Sequence, residues 1–174
     1  MTTPTDDARR ADYALLQKQL DALLDGEDDW TAALATVACE LHHADARFHW
    51  TGFYRAVRGG APGADPDDGL LVIGPYQGGH GCLRIPFTRG VCGAAARERR
   101  TQLVPDVEAF PGHIACSSST QSEIVVPVLA PDGRLLAVLD VDSDWPDAFD
   151  AADQQALEAL CADLGRRFGD VERV

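Results

Sequence analysis

The sequence lacks the features of a membrane, secreted or nucleic-acid-binding protein. No run of roughly 18 apolar residues is present to span a bilayer. The first residues, MTTPTDDARRAD, do not form the basic start and apolar stretch of a secretory signal. Positive charge is also scarce, since 15 Lys and Arg against 28 Asp and Glu give a net charge of −13, which repels phosphate backbones and anionic lipids. We therefore expect a cytoplasmic protein that binds neither nucleic acid nor membranes.

A Cys-x-x-Cys pair is also missing, although the sequence contains five cysteines. Thiols are kept reduced in the cytoplasm, so these cysteines are more typical of reactive, metal-binding or buried residues than of structural disulfides. A chain of 174 residues that is 45% hydrophobic buries roughly 70% of its unfolded surface on folding. Neither a disulfide nor a structural metal is needed to hold such a fold, so clustered cysteines need another reason.

The order of hydrophobic patterns predicts an α+β fold. Leucines at helical spacing predict a helix from Asp12 to Leu24, and Asp29 is the predicted cap of a second helix. Aromatic and β-favouring runs predict strands, and a short helix lies among them; in chain order these are FHWTGFYRAV, LLVIGPY, CLRIPF, the helix GVCGAAARERR, and TQLVPDV. An apolar stripe that includes Phe149 and Phe168 predicts a final helix.

We expect one domain over residues 1–174, without internal repeats or a linker. Its predicted parts are an N-terminal helical extension at about 8–45, a sheet with loops at about 46–145, and a C-terminal helix at about 149–169. The irregular segment PDVEAFPGHIACSSSTQ is long for a connection inside a compact domain, and such loops are usually functional.

Two carboxylates interrupt the apolar strand RLLAVLDVDS. Asp140 and Asp142 are two residues apart, so on a strand both point to the same face, about 7 Å apart. Polar strand ends that reach solvent are the ordinary explanation. The alternative is an acidic pocket, which would attract a cationic group such as an α-ammonium and stabilise positive charge that develops in a reaction.

Hairpin register decides whether Glu123, on the preceding strand, joins these two acids. A two-residue turn at Asp132 and Gly133 places Glu123 opposite Asp142. A three-residue turn that includes Pro131 instead places Glu123 on the other face, unless a bulge near Pro127 restores the register. The sequence leaves both registers open.

The five cysteines fall into two groups. Cys161 lies on the apolar stripe of the last helix and Cys39 lies among alanines on a helix, and a free cysteine in such places usually behaves as a small buried hydrophobe. Cys82, Cys92 and Cys116 lie in glycine-rich or irregular stretches, which indicates that they converge. Buried structural thiols, a metal site, and redox or nucleophilic chemistry remain open for these three. Cys92 falls in the first turn of a short helix, where the helix dipole favours a thiolate.

A zinc site is the metal alternative, since His80, His113 and Cys116 are residue types that zinc accepts. Their spacing matches no established structural zinc pattern, and both histidines are also typical of solvated loops. The motif WTGFY offers a further candidate surface. Trp50 and Tyr54 are four residues apart and share a strand face, where they either pack in the core or form an aromatic wall for a small methyl or thioether group.

Taken together, the motifs resemble those of the free methionine (R)-sulfoxide reductase family, whose members adopt a GAF fold. The resemblance runs from about Trp50 through the last helix. It rests on several motifs in one order: WTGFY, GPYQG, CLRIPF, GVCGAAA, VPDV, FPGHIAC, SEIVVP and LDVDS. It implies a central, largely antiparallel sheet flanked by N-terminal helices and a C-terminal helix.

The resemblance also implies an enzyme that reduces the R epimer of free methionine sulfoxide without a cofactor or metal. In the family pattern Cys116 is the nucleophile, Cys82 is its disulfide partner and Cys92 is an auxiliary cysteine. The family's substrate-binding residues fall on Trp50, Tyr54, Glu123, Asp140 and Asp142. Thioredoxin would reduce the disulfide, and one acid with a raised pKa would protonate the sulfoxide oxygen.

A second expected partner is another copy of the chain, through the N-terminal helices. The alternative to catalysis is a GAF module that only binds or senses a small ligand, since the fold hosts both functions.

Overall fold

A computed structural model describes residues 6–114 and 116–170. Its helices in this part of the chain are α1 (Asp6–Leu23), α2 (Trp30–Ala44), α3 (Gly90–Glu98) and α4 (Ala151–Phe168). Its strands are β1 (Trp50–Arg58), β2 (Leu70–Gln77), β3 (Arg84–Pro86), β4 (Gln102–Val104), β5 (Ser122–Leu129) and β6 (Leu135–Ser143). Each predicted helix and strand is present, and the α+β class is confirmed.

Aspartate caps set where two of the helices begin. The Asp29 carboxylate accepts a hydrogen bond from the Ala32 N–H at 2.7 Å, as predicted for the start of α2. At α4, the Asp150 and Asp153 side chains each accept from the backbone of the other residue in a capping box. Phe149 therefore lies just outside the helix, so the predicted start at 149 is early by two residues, although Phe149 is buried.

The six strands form one antiparallel sheet in the order β3-β2-β1-β6-β5-β4. One face, which we call the helical face, packs against α1, α2 and α4 through an apolar core. The opposite face, which we call the site face, packs against α3 and the loops around it. This is the expected central sheet flanked by N-terminal helices and a C-terminal helix.

The register left open by the sequence is fixed by a turn and a bulge together. Ala130 donates its N–H to the Arg134 carbonyl, which encloses a three-residue turn, and Gly133 adopts the left-handed conformation with φ 82°. A bulge next to Val128 then shifts the pairing by one residue. Glu123 consequently pairs with Asp142 and joins the two aspartates on the site face.

The order of helices and strands also follows the predicted layout. Both N-terminal helices end before residue 45, the sheet and its loops follow, and α4 closes the described chain. None of the helices in the described ranges is both long and apolar enough to cross a membrane. That all of residues 1–174 form one domain stays a prediction.

Candidate active site

A cavity on the site face brings the predicted residues together. It lies between α3, the ends of β1, β5 and β6, and the loops that carry the cysteines. Seven of the eight predicted site residues line it: Trp50, Tyr54, Cys92, Cys116, Glu123, Asp140 and Asp142. The eighth, Cys82, is joined to the cavity wall by a covalent bond to Cys116.

A disulfide links Cys82 to Cys116 across 34 positions of sequence, with a Cα–Cα distance of 5.3 Å. Cys82 lies two residues before the start of β3, and Cys116 lies in the long irregular loop before β5. This is the pair that the resemblance implies. In this redox state neither sulfur is a thiolate that could hold zinc, although His80 and His113 also line the cavity.

The three acids form a compact cluster because cross-strand neighbours share a face. Glu123 pairs with Asp142, and Asp142 also pairs with Trp50 of β1, while Asp140 lies two residues along the same strand. One carboxylate oxygen from each of the three acids lies within 4.8 Å of the other two. Within the described ranges, this is the one cluster whose spacing would suit a metal ion, and it is all carboxylate.

Burial is the main cause of the raised pKa values in this acid cluster. It raises the pKa of Asp140 to about 7. The pKa of Glu123 is raised well above its ordinary value, first by burial and then by the charge of Asp140. Burial and both neighbouring acids also raise the pKa of Asp142. Burial and mutual repulsion therefore favour the protonated form of these acids, which is the property expected of a proton donor.

Two oxygens of this cluster have no hydrogen-bond partner among the described residues: Oε1 of Glu123 and Oδ1 of Asp140. The nearest cation that could pair with Glu123 is His113, whose Nε2 lies 3.9 Å from Oε1. Burial lowers the pKa of His113, which favours the neutral ring. Unpartnered buried oxygens are costly, so they indicate a place where a ligand donates hydrogen bonds.

Cys92 lies in the first turn of α3, as predicted, but the expected thiolate is wrong. The side chain is buried, and burial together with Asp140 and Glu123 raises the pKa of its thiol well above the ordinary value. The Cys92 thiol hydrogen-bonds to the Asp140 side chain. Burial outweighs the effect of the helix dipole, so Cys92 remains a thiol beside the acids.

Trp50 and Tyr54 form an aromatic wall opposite the acids. Their rings stack with centroids 5.7 Å apart and an interplanar angle of 24°. The Trp50 indole N–H donates to the Gly79 carbonyl at 3.2 Å, and the Tyr54 hydroxyl accepts from the Cys82 backbone N–H. The aromatic wall is thereby tied to the backbone that carries the disulfide.

One aromatic contact was missed in the sequence. Tyr76 also stacks with Trp50, with ring centroids 5.3 Å apart and an interplanar angle of 17°. Gly52 pairs with Tyr76, and a Cβ at Gly52 would lie 2.7 Å from the Trp50 ring. The glycine of WTGFY therefore leaves room for this stacked pair. The tyrosine of GPYQG was the signal available in the sequence.

The remaining cavity wall comes from residues of α3, β3 and the loops that the sequence did not single out. Val91 and Ile114 are apolar, while Ser117 and Thr120 are polar. A hydrogen bond of 3.0 Å from the Gly90 N–H to the Gly112 carbonyl ties the long loop to the start of α3. The loop therefore folds over the acids, and its irregular composition was the signal that it would be functional.

The fold and the site together define a GAF domain with a disulfide beside an acidic cavity. The family profile described as GAF domain matches residues 26–167. The chain belongs to the free methionine-R-sulfoxide reductase family of GAF domains.

Two named relatives and one solved structure support this assignment. The free methionine-R-sulfoxide reductase of Escherichia coli is 38% identical over 152 residues, which cover 87% of this chain and 86% of that protein. The protein of the same name from Saccharomyces cerevisiae is 39% identical over 144 residues, which cover 80% of this chain and 76% of that protein. The X-ray structure of free methionine-R-sulfoxide reductase from Neisseria meningitidis, in complex with its substrate, superposes with a TM-score of 0.82. That structure is 41% identical in sequence and covers 97% of this chain and 94% of its own.

Proposed function

We propose that this protein reduces free L-methionine (R)-S-oxide to L-methionine with its own cysteines as the electron source. The single observation that carries the proposal is the Cys82–Cys116 disulfide at a cavity lined by three buried acids and two stacked aromatic rings. A disulfide beside a proton-donating cluster is the oxidised product that such a reaction leaves. Relatives that bear the name of this activity support the same conclusion.

The first chemical step is attack of the Cys116 thiolate on the sulfoxide sulfur. A protonated carboxyl of the acid cluster gives its proton to the sulfoxide oxygen, which makes the sulfur more electrophilic. The oxygen and that proton transfer to Cys116, which becomes a sulfenic acid, and the sulfoxide becomes the thioether of methionine. Asp140, with a pKa of about 7, is the acid best matched to neutral pH.

The second step closes the disulfide. Cys82 attacks the Cys116 sulfenic acid, water leaves, and the bond seen in the structure forms. A thioredoxin dithiol then reduces the disulfide by thiol exchange. We place this cycle in the cytoplasm, where thiols are kept reduced. We further propose a homodimer through the N-terminal helices.

Cys92 completes the proposed site as an auxiliary group. Its thiol hydrogen-bonds to Asp140 and stays protonated. It therefore influences the pKa of the Asp140 proton donor more readily than it attacks the substrate.

The acid cluster also accounts for selection of the free amino acid. An α-ammonium group that enters the cavity donates hydrogen bonds to the unpartnered oxygens of Glu123 and Asp140. A methionine inside a polypeptide has no α-ammonium and leaves those buried oxygens without partners. Trp50 and Tyr54 provide a flat apolar surface for the methyl and thioether carbons.

The decisive experiment supplies the reduced protein with racemic free methionine sulfoxide, thioredoxin, thioredoxin reductase and NADPH. Chiral amino acid analysis follows the two epimers. We expect loss of the R epimer alone, with one NADPH oxidised per methionine formed. If neither epimer is consumed while the thiols titrate as reduced, the protein is a ligand-binding GAF module, and binding should then be insensitive to loss of Cys82, Cys92 and Cys116.

A further inference from the structure

The two disulfide cysteines lie in stretches of unusual charge. The chain as a whole carries a net charge of −13, yet neither residues 69–97 nor residues 109–122 contain a single Asp or Glu. The first stretch contains Cys82 and the second contains Cys116. The two stretches that carry the disulfide therefore add no acidic side chain of their own on an otherwise acidic protein, and their basic side chains attract partners that carry negative charge.

Two arginines follow Cys82 within the first of these stretches. Arg84 and Arg89 are both exposed, and neither forms an ion pair with any residue that the structure describes. Arg100 and Arg166, which are also exposed, each pair with a neighbouring acid. Free guanidinium groups keep their full charge for an incoming partner.

An exposed leucine lies between this charge and the disulfide. Leu83 directly follows Cys82, and its side chain is 72% exposed, more than any other large hydrophobic side chain of the described chain. It precedes β3, which is an edge strand of the sheet and can be approached from outside. One exposed leucine alone is ordinary. Next to a disulfide and two free arginines, it supplies the apolar centre that docking surfaces have.

We propose that Leu83, Arg84 and Arg89 form a docking surface for a dithiol protein of the thioredoxin class whose redox-active face is apolar and rimmed with acids. This inference rests on the proposed function, because only a catalytic disulfide needs repeated reduction. The leucine packs against the apolar face of the partner, and the two arginines pair with its rim.

The docking surface also indicates which sulfur is attacked. Cys116 lines the cavity, whereas the Cys82 backbone continues directly into the exposed Leu83. A partner on this surface brings its thiolate to the Cys82 sulfur and forms a mixed disulfide, and Cys116 leaves as a thiolate at the cavity. The second cysteine thiolate of the partner then attacks the first cysteine sulfur of the partner, which is bonded to Cys82 in the mixed disulfide. Cys82 leaves with a proton from solvent, and the partner ends as a disulfide.

The test compares two reductants on the oxidised full-length protein. Stopped-flow fluorescence measures the second-order rate constant for reduction by a bacterial thioredoxin, and the same measurement is made with dithiothreitol. We expect Leu83→Ala to lower the thioredoxin rate about fivefold and the double variant Arg84→Glu/Arg89→Glu to lower it about tenfold. Dithiothreitol rates should be unchanged. The matched double variant Arg100→Glu/Arg166→Glu should keep the thioredoxin rate within twofold of the wild type.

Salt provides a second readout. The difference in thioredoxin rate constant between the wild type and the Arg84→Glu/Arg89→Glu variant should become smaller at about 1 M salt, where the Debye length is about 3 Å. The gap for Leu83→Ala should persist, because an apolar contact is not screened. Unchanged thioredoxin rates in both variants, or equal losses with dithiothreitol, would overturn the docking surface.

A trapped mixed disulfide tests whether the partner attacks the sulfur of Cys82 or that of Cys116. Thioredoxin whose second cysteine is replaced by serine should form a mixed disulfide with Cys82, identified by peptide mass spectrometry. A link to Cys116 instead would overturn the proposed docking geometry. If Leu83 instead contacts a second copy of this chain, Leu83→Ala would shift the sedimentation coefficient and leave the thioredoxin rate unchanged.

Failure of this inference is separable from failure of the proposed function. Reduction of the disulfide is measured without methionine sulfoxide, and turnover of methionine sulfoxide is measured with dithiothreitol and no thioredoxin. Turnover with dithiothreitol but no effect of the variants would reject the docking surface alone. No turnover with either reductant would reject the proposed function.

Discussion

The two faces of the sheet use the same strands for opposite purposes. On the helical face, β5 and β6 contribute apolar, fully buried side chains such as Ile124, Leu139 and Val141. On the site face, Glu123 and Asp140 alternate with those residues and are almost as deeply buried. The period of two in a strand separates the two sets by a single position.

The comparison shows how one hairpin serves stability and chemistry together. Burial of apolar groups on the helical face stabilises the fold by roughly 25 cal/mol per Å². Burial of carboxyls on the site face destabilises it, since their raised pKa values show that ionisation is disfavoured there. The stability provided by the helical core therefore offsets the cost of burying the acids on the site face.

The largest expected effect is the loss of turnover when the Cys116 sulfur on the site face is replaced. Replacement Cys116→Ser should lower turnover of methionine (R)-sulfoxide by at least about 10³-fold, since a serine hydroxyl is not ionised at neutral pH. The fold should remain, because Cys116 lies in a loop. Cys39→Ser, a free cysteine of α2, is the matched control and should retain full turnover. Turnover by Cys116→Ser at the wild-type rate would contradict the assigned nucleophile.

A sharper form of the same experiment uses Cys82→Ser. This variant keeps the nucleophile and loses the partner that closes the disulfide. We expect one methionine per protein molecule in a single-turnover experiment without reductant, and a sulfenic acid on Cys116 that dimedone labels. Several methionines per molecule without reductant would show that the electrons come from elsewhere.

The second largest effect concerns the proton donor. Asp140→Asn removes the acid whose pKa is about 7 and should lower kcat/KM about 10²-fold, the usual contribution of a general acid. Asp132→Asn, in the exposed turn of the same hairpin, is the control and should leave kcat/KM unchanged. An unchanged kcat/KM in Asp140→Asn would move the donor role to Glu123 or Asp142.

The pH dependence of stability tests the cost of the site face. Asp140 holds its proton more tightly in the folded state, with a pKa of about 7, than in the unfolded state near 3.8. Folding thus takes up a proton between these values, so stability falls as pH rises from about 4 to about 7 and stays reduced above that. Asp140→Asn should therefore be more stable than the wild type at pH 8, by up to about 4 kcal/mol.

Urea unfolding of the oxidised protein at pH 4 and pH 8 measures this difference. At pH 4 the two proteins should differ far less, because Asp140 is then largely protonated in the folded wild type. A wild type that gains stability from pH 4 to pH 8 relative to Asp140→Asn would contradict the raised pKa.

The smallest expected effect on turnover comes from a substitution on the helical face. Leu139→Ala removes a fully buried side chain and should lower the free energy of unfolding by about 3 kcal/mol. Turnover per folded molecule should stay within twofold, because the side chain points away from the cavity. Leu15→Ala, on the exposed side of α1, should change stability by less than about 0.5 kcal/mol. A large loss of turnover in Leu139→Ala would show that the two faces are coupled.

Local patterns were sufficient for the elements of the fold. Helical spacing of leucines, the cap at Asp29 and alternating strands predicted α2, β5 and β6 correctly, because these signals act within a few residues. The disulfide pairing and the roles of the site residues were not worked out from such patterns. They came from the resemblance of whole motifs, since a spacing of 34 positions carries no distance.

Tertiary structure decided what the local signals could not. The sequence by itself determined the helices, the strands and the shared face of Asp140 and Asp142, since each depends on backbone period alone. The bulge beside Val128 brought Glu123 to that face, because register depends on pairing across the whole hairpin. Packing of the long loop over α3 buried Cys92 among acids and reversed its expected ionisation, because burial and nearby charge act through space and outweigh one helix turn.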